Sequence, residues 1–246
     1  MSKIFAIGDI HGCYNELMLL FKKLPLDPKN DKIIFLGDYI DRGPDSKKVV
    51  AQLIEWKKKY PHWIFLRGNH EDILENWIEG GQKYQEDEQW SCFLANGGIE
   101  TLESYGYRTS EPSKTGILKA HLDFLLKETE VMHETDDYVF VHAGLIPNDT
   151  IENISNLMNE TIIKAILWAR DDFIDSDWDW GKKVIFGHSA AYRKRWGKLG
   201  EPIVMKNKIG IDGAVCPTAC KNLIAVELPS EKFYFQENIT CQKIIK

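Results

Sequence analysis

One strand-like run after another in this chain ends in a metal-ligating or phosphate-binding residue type. That repetition constrains the fold more than any other feature of the sequence. The runs Ile4-Phe5-Ala6-Ile7, Ile33-Ile34-Phe35-Leu36, Trp63-Ile64-Phe65-Leu66, Tyr138-Val139-Phe140-Val141 and Val184-Ile185-Phe186 are short, apolar and of strand length. After them come Gly8-Asp9-Ile10-His11-Gly12, Gly37-Asp38-Tyr39-Ile40-Asp41-Arg42-Gly43, Gly68-Asn69-His70-Glu71, His142-Ala143-Gly144 and Gly187-His188. In open α/β sheets the carboxyl edge of the strands is where ligands bind. A cluster of carboxylates, imidazoles and one amide oxygen at that edge is the wiring of a metal site.

The periodicity between these runs sets the organisation. A strand over 3–8 leads to a helix near 13–24, with Leu17, Leu20, Phe21 and Leu24 at helical spacing. A strand over 32–37 is followed by a helix near 46–59, with Ser46 as the expected N-cap and Val49, Val50, Leu53 and Ile54 facing inward. A third strand over 62–67 completes a βαβαβ unit, which implies a parallel sheet. Residues from about 72 to 134 are polar and read as a helical, cap-like excursion, with helices near 71–79, 91–104 and 116–128. Short runs at 138–142, 183–187, 203–211, 222–228 and 232–236 predict a largely antiparallel second sheet. The expectation is a single domain over 1–246 with a mobile tail at 237–246.

Composition narrows the function classes. With 246 residues the chain can bury a substantial core, roughly 70–75% of its unfolded surface. Its net charge of −6 and the lack of a basic arm argue against a nucleic-acid partner. No window reaches the ~18 apolar residues of a membrane span. Met1-Ser2-Lys3-Ile4-Phe5 leads straight into a strand with no signal-peptide core, so a cytoplasmic protein is expected. The five cysteines, Cys13, Cys92, Cys216, Cys220 and Cys241, are odd in number and irregularly spaced, which does not predict a disulfide framework.

Taken together, GDIHG, GDYIDRG and GNHE, in that order, resemble the calcineurin-like metallophosphoesterases. More narrowly they resemble the serine/threonine phosphoprotein phosphatase branch with its compact bacterial and phage members. The resemblance runs from about Lys3 to Gly213. It implies an α/β (α+β) fold of two mixed β-sheets packed as a sandwich and flanked by helices, with a helical insertion beside the active-site groove. It also implies two metal ions, the first held by Asp9, His11 and Asp38 and the second by Asp38, Asn69, His142 and His188. A mixed oxygen and nitrogen donor set suits manganese, with iron or zinc as alternatives. Two such ions lower the pKa of a bound water to about 7, so the implied nucleophile is a metal-bridging hydroxide.

The neighbouring residues read as catalytic groups. His70 follows a ligand directly, and adjacent residues on a loop rarely face one ion together. It is therefore better placed to protonate the leaving oxygen, with Asp41 holding its imidazole. Guanidinium binds phosphate bidentately, which makes Arg42 the leading phosphate clamp. Arg170 matches a position where an arginine of the resembled family reaches the phosphate. Arg67 comes third, with pairing to carboxylates at the loop base as its other reading. Glu71 reads as a structural anchor for its loop.

Several features read as structural. His62, His121 and His133 carry no motif, Trp178, Trp180 and Trp196 read as packing residues, and the acidic run 171–177 reads as a solvated loop. Arg193-Lys194-Arg195 divides evenly between contact with an acidic substrate and simple exposure. The region 211–217 lacks the phosphate-facing tyrosine of the family's eukaryotic enzymes.

The expected activity is hydrolysis of phosphoserine, phosphothreonine and small aryl phosphates. The alternative is hydrolysis of dinucleoside polyphosphates such as diadenosine tetraphosphate. A catalytically silent binding protein is the reading from another class. It fits poorly, because every ligand type and the His-Asp pair are present. The oligomeric state is not legible.

Overall fold

In the computed structural model, residues 2–80, 88–107, 116–191, 196–239 and 241 are described. The βαβαβ unit forms as the periodicity predicts. Strand β1 (Ile4–Ile7) leads through helix α1 (Tyr14–Lys23) to β2 (Lys32–Phe35), and helix α2 (Ser46–Lys59) leads to β3 (Ile64–Phe65). The three strands pair in parallel. Ser46 is the first residue of α2 and not its cap. Asp45 is the N-cap, and the Ser46 hydroxyl is engaged by the Asp41 N–H and the Thr101 hydroxyl.

Helices α3 (Asn69–Glu79), α4 (Glu88–Ala95), α5 (Gly98–Ser104) and α6 (Lys119–Lys127) separate β3 from β4 (Met132–Glu134). The predicted helix over 91–104 is two helices. They break at Gly97, whose φ of 91° is left-handed and whose carbonyl accepts the Arg42 N–H. Residues 81–87 and 108–115 of this excursion lie outside the described residues.

The rest of the chain departs from the expectation of an antiparallel second sheet. Strands β5 (Tyr138–Val141), β6 (Lys183–Phe186) and β8 (Lys208–Gly210) pair in parallel, and only β4 and β7 (Ile203–Val204) run against them. Helices α7 (Ile151–Asn156), α8 (Glu160–Trp168) and α9 (Asp171–Ile174) lie between β5 and β6 and give the chain the length a parallel return needs. The acidic run expected as loop starts α9. Strands β9 (Asn222–Leu228) and β10 (Lys232–Glu237) join the first sheet instead, β9 antiparallel to β1. The sheet orders are therefore β10-β9-β1-β2-β3 and β4-β5-β6-β8-β7.

The two mixed sheets pack face to face, because each strand has two apolar faces. Ala6, Ile34, Phe140, Ile185, Ile209, Ile224 and Val226 fill the layer between the sheets. Phe5, Ile7, Ile33 and Phe35 point the other way, onto α1 and α2, while Val139, Val141, Val184 and Phe186 face the α7–α9 side. Each fully buried side chain of this size contributes about 1.5–3 kcal/mol.

Residues outside the motifs settle into structural roles. The Trp180 indole donates to the Ile146 carbonyl, Trp196 to Asp175 and Trp178 to the Asp149 carbonyl, so all three pack loops. His62 bonds the Asp31 carbonyl, His133 sits beside Glu130, and His121 meets the Tyr105 hydroxyl. Cys220 and Cys241 form a disulfide, a pairing that the spacing did not suggest, while Cys13 and Cys216 are buried free thiols. Within the expected tail, Asn238 and Cys241 are buried, and residues 240 and 242–246 lie outside the described residues, as do 192–195. Among the described residues no helix is long and apolar enough to cross a membrane.

Candidate metal centre

The carboxyl ends of β1, β2, β3, β5 and β6 meet at one edge of the sandwich and bring the predicted residues together. Asp9, His11, Asp38, Asp41, Asn69, His70 and His142 are all buried. His11, Asp38, Asp41, Arg42 and His188 have φ between 46° and 71°. Left-handed backbone at non-glycine residues costs energy and persists only where the surroundings dictate it. Here Glu71 helps to dictate it, because its buried carboxylate accepts the N–H groups of Asp38, Tyr39 and Gly68. Burial and Asp38 push the Glu71 pKa up to about 7, against the Tyr39 and Gly68 donors. At Gly68 a Cβ would lie 2.2 Å from the Asp38 Oδ1, so only glycine lets the loops approach this closely.

Two donor groups share Asp38. Asp38, His142 and His188 form one, and His11, Asp38 and His70 form the other. The Leu36 carbonyl can only accept, so the His142 Nδ1 carries the proton and donates across 2.8 Å, which leaves Nε2 as a lone pair. That lone pair faces the Asn69 Oδ1 at 2.9 Å and the Asp38 Oδ1 at 3.3 Å. The same Asn69 oxygen lies 2.8 Å from the His188 Nδ1. His188 Nε2 is buried without a hydrogen-bond partner. Burial lowers the pKa of both His142 and His188, which keeps the rings neutral. Lone pairs converging from a carboxylate, an amide and imidazoles repel one another unless a cation stands among them, and this donor set fits a divalent transition ion.

The other half is arranged differently from the expectation. His11 Nδ1 donates to the Ile40 carbonyl at 2.9 Å and its Nε2 lies 3.5 Å from the Asp38 Oδ2. Burial, then Arg42, lowers the His11 pKa. His70 stands beside it in the donor group, whereas Asp9 turns both carboxylate oxygens to the His188 N–H, at 3.0 and 3.1 Å. Burial raises the Asp9 pKa, and Asp212 and then Asp38 raise it further.

His70 and Asp41 pair as expected, with Nδ1 2.7 Å from the Asp41 Oδ2. The other Asp41 oxygen accepts the Thr101 hydroxyl. Burial would lower the His70 pKa, but Asp38 and Asp41 outweigh it and the net shift is upward. Arg42 bridges the two rings, Nη1 donating to His11 Nε2 at 2.8 Å and Nη2 to His70 Nε2 at 2.9 Å. Arg170 is the N-cap of α9, exposed and close enough to His188 to lower its pKa. With Trp168, Leu145, Ile146 and Phe173 it lines an open cleft beside the centre. Arg67 is drawn off to the carboxylates of Glu75 and Asp72, the second of its two readings.

Sequence reasoning passed over one residue here. Asp212, buried just beyond β8, acts on Asp9 and is acted on by Arg42, Asp38 and His142. Its signal was present, since Ile209-Gly210-Ile211-Asp212-Gly213 is one more strand end with an Asp-Gly pair.

Residues 2–216 match the sequence profile of the calcineurin-like phosphoesterases. A bis(5'-nucleosyl)-tetraphosphatase (asymmetrical) of Anoxybacillus flavithermus is 27% identical over 94% of this chain and 96% of its own length. A symmetrical bis(5'-nucleosyl)-tetraphosphatase of Dechloromonas aromatica is 31% identical, over 65% of this chain and only 50% of its own length. Serine/threonine-protein phosphatase 1 of Salmonella typhimurium is 28% identical over 78% of this chain and 80% of its own. Among solved structures, a putative diadenosine tetraphosphatase superposes with a TM-score of 0.67 at 18% identity, covering 96% of this chain and 93% of that one. A Saccharomyces cerevisiae serine/threonine phosphatase superposes with a TM-score of 0.60 at 16% identity, covering 96% and 79%. The family works with a dinuclear metal centre, and the buried histidine and aspartate cluster is compatible with one. This chain belongs to the calcineurin-like phosphoesterase family and is a metal-dependent phosphoester hydrolase.

Proposed function

We propose that the chain is a dimetal phosphomonoesterase acting on phosphoserine and phosphothreonine. The observation that carries this reading is the buried His70–Asp41 pair, 2.7 Å apart, with Arg42 beside it. A serine or threonine alkoxide is a poor leaving group and needs a proton as the P–O bond breaks. His70 delivers it as general acid from Nε2, and Asp41 fixes the ring and keeps its pKa raised. Arg42 and Arg170 bind the phosphoryl oxygens, Arg42 after releasing the two imidazole nitrogens it now bridges.

Asp38, Asn69, His142 and His188 would hold one ion, and His11 and Asp38, joined by Asp9, the other; manganese suits this oxygen and nitrogen set. When bound, the two ions make water nucleophilic near neutral pH and polarise the phosphoryl group.

A second reading, hydrolysis of dinucleoside polyphosphates, is supported by the tetraphosphatase relative that spans nearly the whole chain. Its leaving group is a nucleotide phosphate, which departs without a strong acid. The test is kcat/KM of manganese-loaded protein on a phosphothreonine peptide and on diadenosine tetraphosphate, side by side. A large preference for the peptide supports the phosphomonoesterase reading, and a large preference for the dinucleotide overturns it in favour of the second.

A further inference from the structure

Five strand ends account for every predicted ligand, and a sixth brings one more carboxylate to the same edge. Strand β8 pairs in parallel with β6, so its carboxyl end emerges beside the His188 loop. Ile211 N–H is bonded to the Phe186 carbonyl, and a Cβ on Gly8 would lie 2.2 Å from the Ile211 carbonyl oxygen. Asp212 therefore leaves the sheet level with Asp9, packed between the first and last ligand loops. It is 8% exposed. One of its oxygens accepts the N–H of Ala214, which is held in the left-handed region at φ 53°.

That hydrogen bond needs an acceptor but not a charge. Asp9 and Asp38 are buried at the same edge, 3% and 2% exposed. Arg42, bonded to the His11 and His70 rings, is the guanidinium that reaches it. Burying an ionised carboxylate costs several kcal/mol unless it is compensated. Asp9, Asp38 and Asp212 at one edge need more positive charge than one guanidinium carries, and two divalent ions would supply it.

We propose that Asp212 is a positioning carboxylate of the metal centre, adding negative charge behind Asp9 and so tightening the hold on the divalent ion at that side. The inference rests on the dimetal reading above, and it can fail while that reading stands.

The experiment is manganese binding by the full-length chain, measured by equilibrium dialysis and competition with a chromogenic chelator in the absence of substrate. Asp212→Asn keeps an oxygen for the Ala214 N–H and removes only the charge, and Asp212→Glu keeps the charge. Wild-type protein should bind two ions. In Asp212→Asn the Kd of one ion should rise about 10- to 100-fold, the range found for residues that support ligands, while the other stays within about threefold. Asp212→Glu should stay nearer to wild type. Unchanged affinities in Asp212→Asn, an equal loss at both ions, or a loss in Asp212→Glu as large as in Asp212→Asn would overturn the proposal with the dimetal reading intact. Wild-type protein that binds fewer than two ions would overturn both.

Discussion

The two sheets contribute to the centre in different ways. The first concentrates its residues in tight loops, where β1, β2 and β3 deliver Asp9, His11, Asp38, Asp41, Arg42, Asn69 and His70, and α3 starts at Asn69 itself. These loops lock one another through backbone bonds, such as Ile10 and His11 N–H to the Asp38 carbonyl and Gly12 N–H to Tyr39. The second sheet sends single residues, His142, His188 and Asp212, each from a separate strand end. Its residues are fixed by reaching across to the first, His142 to the Leu36 carbonyl and His188 to Asp9 and Asn69. On the proposed reading, the first sheet would carry the chemistry of proton and phosphate, and the second would close the cation site around Asp38, which belongs to both donor groups.

If Asp38 is the joint between the halves, losing its charge should undo both. Asp38→Asn is expected to lower metal content to less than one ion per chain and to reduce kcat/KM at least about 10³-fold, roughly 4 kcal/mol of transition-state stabilisation. Metal content by mass spectrometry beside steady-state kinetics checks it. Retention of two ions would mean that the halves do not share a ligand.

A proton donor confined to the first sheet should be separable from the metals. His70→Asn should retain both ions and lose about 10²- to 10⁴-fold on a phosphothreonine peptide, the usual range for a positioned acid. On an aryl phosphate, whose leaving group departs unaided, the loss should be far smaller. Equal losses on both substrates would assign His70 to metal or phosphate binding, in keeping with its place beside His11 and Asp38.

The arginines sharpen the contrast, one coming from each half. Arg42 lies within the first-sheet loops against two imidazoles, so Arg42→Ala should lower kcat by about 10²-fold or more, as loss of a preorganised charge does. Arg170 stands exposed at the start of α9. Arg170→Ala should mainly raise KM, by about tenfold, or about 1.4 kcal/mol. The reverse ranking would move the phosphate clamp to the second sheet.

The same contrast explains what was legible in the sequence. The first-sheet loops pack ligands and glycines into contiguous motifs, so Asp9 through Arg42 and Asn69-His70 could be read as chemistry before any fold was known. His142 and His188 were readable only because each follows an apolar run within a series already established. Asp212 sits on an equivalent strand end with its own Asp-Gly pair, but it follows a three-residue strand that starts with lysine, so no apolar run of the usual length announces it. Strand direction failed for a related reason. Runs of two to four residues bury both faces in a sandwich and carry no sign of whether their partner runs with or against them. The Cys220–Cys241 bridge could not be inferred at all, since spacing does not determine pairing.

Lys208 is the least legible residue, and it also sets the smallest expected effect. A lysine at the start of a strand reads as exposed, yet this one is buried. Its ammonium donates to the carbonyls of Phe173 and Ile174 at 2.8 and 3.1 Å, and to that of Ser176. It also stands over the Phe173 ring, 5.0 Å from the centroid. The first two carbonyls belong to the last turn of α9, where a cation complements the helix dipole. Burial lowers the Lys208 pKa, but three carbonyl acceptors give the ammonium form its bonds. Lys208→Met keeps the apolar stem and leaves those carbonyls unpaired, a loss of about 2–3 kcal/mol. For a chain of this size that is a fall in Tm of about 4–12 °C. Because α9 begins beside Arg170 and not at a ligand, the variant should still bind two ions at 25 °C while its KM rises. A variant that loses an ion instead would show that the second sheet's supports reach the cation site as directly as the first sheet's loops do.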